Sequence, residues 1–145
     1  MFNLKLSYFI FNFYLFKKIL IHIIMEKVFI KKFIVEKEHL ANTVQSGSLP
    51  VLSTPFLLAF IENSCATFIN DEINNQENKT TVGVKVNLKH LKPNVVGDEL
   101  ECRGKLLKVE NNKYIFSVKV FHGEKLIGVC EHTRYLVTFD FYKNI

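Results

Sequence analysis

The spacing of apolar residues changes twice along this chain. Residues 27–37, KVFIKKFIVEK, set β-branched and aromatic side chains in partial alternation with lysines, which predicts a first strand. Residues 38–53, EHLANTVQSGSLPVLS, hold Gly47, Pro50 and three serines, the composition of a loop with room for one short helical turn. From Pro55 to about Asp71 the spacing becomes helical. Plotted at about 100° per residue, Phe56, Leu57, Leu58, Ala59, Phe60, Ile61, Cys65, Ala66, Phe68 and Ile69 occupy nearly the whole circumference, which predicts a buried helix. Thr54 is the expected N-cap and Pro55 the expected first helical residue, where a missing N–H costs nothing. Residues 71–79, DEINNQENK, read as a solvated loop.

Beyond the loop the period falls to two. TTVGVKVNLKHL (80–91) sets Val82, Val84, Val86 and Leu88 on one face, continued by His90, and Lys85, Asn87 and Lys89 on the other. After the turn-rich KPNVVGD, ELECRGKLLKVE (99–110) alternates again until the pattern slips at Leu106-Leu107, which predicts a bulge. Asn111-Asn112 and Gly123-Glu124 are the expected hairpin turns around KYIFSVKVFH (113–122), and KLIGVCEHTRYLVTF (125–139) is the last strand. The order predicts an α+β domain, a five-stranded antiparallel sheet wrapped around one long buried helix.

A chain of 145 residues, 48% hydrophobic and 23% charged, suits one globular domain with a substantial core. The formal charge of +5 owes three lysines to the first 24 residues, which hold no acid; the remainder carries 16 basic and 14 acidic residues. That balance is an ordinary solvated surface and leaves no nucleic-acid footprint. Cys65, Cys102 and Cys130 are odd in number, match no metal or redox spacing, and sit among apolar neighbours. They read as buried free thiols in a reducing compartment, hence a cytoplasmic protein.

Residues 1–24, MFNLKLSYFIFNFYLFKKILIHII, differ from everything after them. Lys5, Asn12, Lys17-Lys18 and His22 interrupt any run of the roughly 20 apolar residues that a membrane span needs. No small-residue cleavage site precedes Met25, as a secretory signal would require. The segment is expected to lie upstream of a true start at Met25, or else to associate loosely with a membrane, and the functional domain is expected over 25–145.

Three residues stand out chemically. Glu62 has Pro55, Leu58, Ala59, Cys65, Ala66 and Ile69 as helical neighbours, so its carboxylate sits in an apolar stripe and must be partnered, protonated or facing a wet cleft. His90 ends an apolar strand face, where it can titrate or donate near neutral pH, or simply be a satisfied core residue. Thr54 opens the helix, where backbone N–H groups favour an anion or oxyanion. His132 and Arg134 share one face of the last strand, and Arg134 could hold Glu62 or a ligand's anionic group.

SGSLPVLSTPFLLAFIE, TTVGVKVNLKHLKPNVVGDEL and LIGVCEHTR resemble the hotdog-fold thioesterases of the fluoroacetyl-CoA thioesterase-like group over about residues 26–140. The resemblance implies the hotdog fold and a catalytic set of Thr54, Glu62 and His90, with Gly83 and Arg134 lining the substrate site. It also implies hydrolysis of an acyl-CoA thioester without any cofactor or metal, coenzyme A entering only as part of the substrate. The implied assembly is a homodimer, with a tetramer also open, whose sites lie between subunits. Lys85, Lys89 and Lys92 are candidates for the CoA phosphates. TVQSGSLPVLS before Thr54 has no aromatic residue where the fluoroacetate-selective member carries an aromatic lid, so the resemblance implies a general acyl-CoA thioesterase of a small or medium acyl group. A non-catalytic acyl-CoA binding protein is the alternative, and a hotdog dehydratase a more distant one.

Overall fold

The order of the sheet follows from the connections. In the computed structural model, which describes residues 27–73 and 78–144, the strands are β1 (Val28–Ile34), β2 (Lys79–His90), β3 (Glu99–Glu110), β4 (Lys113–His122) and β5 (Lys125–Thr138). Short turns make β3-β4-β5 a meander, and every neighbouring pair is antiparallel. The one α-helix among the described residues, α1 (Thr54–Glu72), lies in the chain between β1 at one edge and β2 at the other, giving the order β1-β3-β4-β5-β2. Two short 3₁₀ turns, Lys37–His39 and Phe141–Asn144, complete the elements. Residues 1–24 and the reading made of them lie outside the described residues, among which no helix is long and apolar enough to cross a membrane.

Asn111 and Asn112 make the β3–β4 turn with positive φ of 49° and 64°, the left-handed pair that matches strand twist. The slip at Leu106-Leu107 is a register shift between Leu106 and Lys108. A second shift falls between Gly83 and Lys85 and corrects the expected face of β2. Before it, Thr81 and Gly83 face the helix; after it, Val86, Leu88 and His90 do, across from His132, Cys130 and Gly128. The extra residue at Val84 changes which parity points inward.

Helix α1 is capped by Ser53, whose hydroxyl accepts from the Phe56 N–H at 3.3 Å, and not by Thr54 as expected; Thr54 is the first helical residue. Leu57, Ile61, Ser64, Cys65 and Ile69 form its buried stripe, against Leu100, Cys102, Phe116, Val118, Ile127 and Cys130 of the sheet. Truncating a fully buried residue such as Ile61 to Ala would cost about 2–5 kcal/mol. Toward β1 the helix packs through aromatic pairs, Phe60 on Phe33 at 3.7 Å and Phe68 on Phe29 at 5.2 Å between ring centroids. The expected all-round burial does not hold in one chain, because the sheet curves over one side only. Pro55 and Ala59 are exposed, and Leu58, Glu62 and Ala66 half-buried. All three cysteines are free and buried; burial pushes the thiols of Cys102 and Cys130 up to about 11, and that of Cys65 higher still.

Candidate active site

Two separate groups of polar side chains stand between α1 and the β2 side of the sheet. The first begins with Ser53: because it takes the capping role, the Thr54 hydroxyl is released from the helix end. Thr54 Oγ1 lies 3.0 Å from Nδ1 of His90, the last residue of β2. His90 Nε2 is buried without a hydrogen-bond partner. Burial lowers the His90 pKa, offset in part by the Lys92 backbone, so the imidazole is held neutral near pH 7. The pair lines a cavity of about 320 Å³, walled by Ala41, Ser46 and Val51 of the loop before the helix and by Leu91, Lys92 and Pro93 after β2. The loop is pinned by the Leu52 N–H donating to the Asn94 carbonyl at 2.8 Å and the Ala41 N–H to the Val51 carbonyl at 2.8 Å.

The second group surrounds Glu62, eight residues further along the helix and so about 12 Å from Thr54 along its axis. Its side chain is 38% exposed. Oε1 stands 3.7 Å from His132 Nε2 and 3.9 Å from Arg134 Nη1. Gly83 lies directly against it: a Cβ built there would overlap Oε1 and come within 3.2 Å of the His132 ring. Arg134 is buried and heavily bonded. Its Nε donates to Thr81 Oγ1 at 2.9 Å, Nη2 to the Thr81 carbonyl at 2.7 Å, and Nη1 to His132 Nε2 at 3.3 Å and the Glu62 carbonyl at 3.5 Å. Burial lowers the Arg134 pKa and the Glu62 charge opposes that shift; the group stays a cation.

Of the five residues singled out from the sequence, the structure joins Thr54 to His90, and Glu62 to Gly83 and Arg134. It does not bring the two groups together within one chain. His132 belongs to the second group although sequence reasoning gave it no role. Its signal was the period-two register with Arg134, which puts both on the face turned toward the helix. Of the lysines considered for CoA phosphates, Lys92 lines the cavity, while Lys85 and Lys89 alternate to the outer face of β2. Glu36, Glu38 and His39 bring ligand-type atoms within 4.8 Å of one another, but at the exposed 3₁₀ turn, where the Glu36 N–H donates to His39 Nδ1 at 3.0 Å.

A partly exposed carboxylate beside a buried cation, with an alcohol–imidazole pair at a cavity, is equipment for acyl transfer: a nucleophile or base, an oxyanion donor and a proton carrier. The profile of a family described as FlK, fluoroacetyl-CoA-specific thioesterase, matches residues 35–140. Among solved structures, a variant of that thioesterase in complex with fluoroacetate and CoA superposes with a TM-score of 0.73 at 17% identity, over 81% of this chain and 97% of that one. A hot-dog-like protein from Thermanaerovibrio acidaminovorans gives 0.73 at 18% identity, over 82% of this chain and 87% of that one. A hypothetical protein from Thermus thermophilus, a thioesterase superfamily member, gives the same values. These likenesses show the hotdog fold. A comparison with curated proteins found no match.

Proposed function

The chain belongs to the fluoroacetyl-CoA-specific thioesterase family, and from that premise we propose that this thioester hydrolase cleaves a small or medium acyl-CoA to the free acid and coenzyme A. The observation that carries the reading is the Glu62 carboxylate, kept open against Gly83 and short of Arg134 instead of quenched in a closed ion pair. Such a carboxylate can attack the thioester carbonyl to give an anhydride that water then opens, or it can take a proton from the attacking water. In either route the C–S bond breaks, and His90 relays a proton to the leaving thiolate to give CoA thiol and is reprotonated by the water that is consumed. Thr54 orients His90. No cofactor beyond the CoA of the substrate is needed, and Lys92, which lines the cavity, is the candidate cation for its phosphates. The three free thiols suit the cytoplasm.

The site is completed by a second chain. Strand β2 is a sheet edge, with Val84 and Val86 exposed. An antiparallel two-fold pairing of β2 with its copy, centred on Asn87, sets Lys85 opposite Lys89 and, because the bulge at Val84 takes up one residue, Gly83 of the partner subunit opposite His90. Residues opposed across an antiparallel pair share a face, and the bulge at Val84 is what gives Gly83 and His90 the same face. The Thr54–His90 pair of one chain thereby meets the Glu62 group of the other.

Apart from His90, the cavity beside Thr54 is walled by aliphatic and small polar side chains and Lys92, with no phenylalanine, tyrosine or tryptophan, which supports a general acyl group over fluoroacetyl selectivity. Thiol release from a panel of acyl-CoAs, fluoroacetyl-CoA included, tests the function. Turnover of one or more short or medium thioesters, lost in Glu62→Gln, is expected. Tight binding of acyl-CoA with no thiol release would make this a binding protein instead.

A further inference from the structure

Arg134 is a buried cation that does not close on its nearest carboxylate. Nη1 stops 3.9 Å from Glu62 Oε1, beyond hydrogen-bond reach. Thr81 anchors the other two nitrogens, and the side chain that engages Nη1 is His132, only 1% exposed. His132 Nδ1–H donates to the Lys85 carbonyl at 3.0 Å, which fixes the tautomer and leaves the Nε2 lone pair as acceptor. Arg134 Nη1 donates into that lone pair at 3.3 Å. Lys85 lies just past the β2 bulge, so the extra residue also sets where its carbonyl stands. Thr81 takes Nε and Nη2, and at the Nη1 end the Glu62 backbone carbonyl accepts at a longer 3.5 Å, so His132 is the side chain that competes with the Glu62 carboxylate there.

We propose that His132 is a positioning residue for the thioester hydrolysis proposed above: by accepting from Arg134 Nη1 it keeps the guanidinium off the Glu62 carboxylate, which stays free to act on the thioester or on water. Without that acceptor, Nη1 needs to move only about 1 Å to bond Glu62 directly. A carboxylate so paired is a weaker nucleophile and base. The inference rests on the thioesterase reading for its kinetic test and has an independent structural test.

The variants are His132→Leu, His132→Gln, His132→Asn, Arg134→Met and the His132→Leu/Arg134→Met double, each checked for fold and assayed on the best thioester of the panel. His132→Leu is expected to lose about 100-fold in kcat with KM nearly unchanged. His132→Gln, whose amide oxygen can accept from Nη1, should recover about tenfold of that loss, whereas the shorter Asn should not. In the Arg134→Met background, His132→Leu should cost no more than about twofold, because the group it restrains is gone. Parent kinetics in His132→Leu, fully additive losses in the double variant, or equal rates for Gln and Asn would each overturn the proposal. The Gln–Asn comparison decides if His132→Leu fails to fold. Should the parent release no thiol from any acyl-CoA, the thioesterase reading fails, and ¹⁵N NMR of the parent still decides the arrangement. A neutral His132 protonated at Nδ1 is expected; the opposite tautomer overturns it.

Discussion

Gly83 touches the Glu62 carboxylate so closely that no side chain fits between them. The displaced atom in any substitution would be Oε1 itself, the charged end of the half-buried glutamate. Gly83→Ala should therefore fold and assemble as the parent does while losing about 100-fold in kcat/KM. Steady-state kinetics beside a melting curve checks this, and a fully active alanine variant would remove Glu62 from the site.

Ser53 and Thr54 divide capping from chemistry, and single substitutions should separate the two. Ser53→Ala loses a buried helix cap and should cost about 1 kcal/mol of stability. Thr54→Ala should leave the melting temperature unchanged and lower kcat, while Thr54→Ser keeps the hydroxyl on His90 and most of the rate. Thermal melts paired with thiol-release rates measure both.

His90→Ala removes the proton carrier and should lower kcat by about 10²–10⁴-fold. The fold should survive, since His90 stands at the last position of β2 and its Nε2 bonds nothing. The measurement is the hydrolysis rate of the best panel substrate alongside circular dichroism.

Acidification should weaken the fold in a defined window. Burial is the leading cause that lowers the pKa of both His90 and His132 below the ordinary histidine value. The unfolded chain then binds more protons than the native state as pH falls through about 6.5, so stability is lost in that direction. Asp98, lowered chiefly by its Asn94 hydrogen bond, contributes stability that is lost only below the ordinary carboxylate range. Between pH 7 and pH 5 the melting temperature should fall by about 2–8 °C, and less so in His132→Gln, as differential scanning calorimetry would record.

The element pattern was legible because both periods are strong: strand boundaries, the helix and even the slip at Leu106-Leu107 follow from spacing alone. The parity of β2 was not. Gly83 and His90 are seven residues apart, an odd number, so strict alternation puts them on opposite faces. Val82 and Val84 then look inward by composition, and nothing local announces the extra residue at Val84. It becomes visible only in the pairing with β5, where Gly83 faces Arg134 but Lys85 faces Thr133. His132 escaped for a related reason. A histidine beside an arginine on one strand has no meaning until the opposite strand supplies the Lys85 carbonyl and the helix supplies Glu62. Thr54 was legible as a helix-start residue, but its release from capping depended on Ser53 winning that role.

The two turns of helix that part Thr54 from Glu62 have an arithmetic outcome. In the dimer proposed above, every catalytic centre borrows its acid from one polypeptide and its imidazole from the other. Two dead proteins, Glu62→Gln and His90→Ala, would then complement: once subunits exchange, each hybrid owns one intact centre and one doubly broken one. An equimolar mixture should recover about one quarter of parental turnover, a revival that centres confined to single chains could never show.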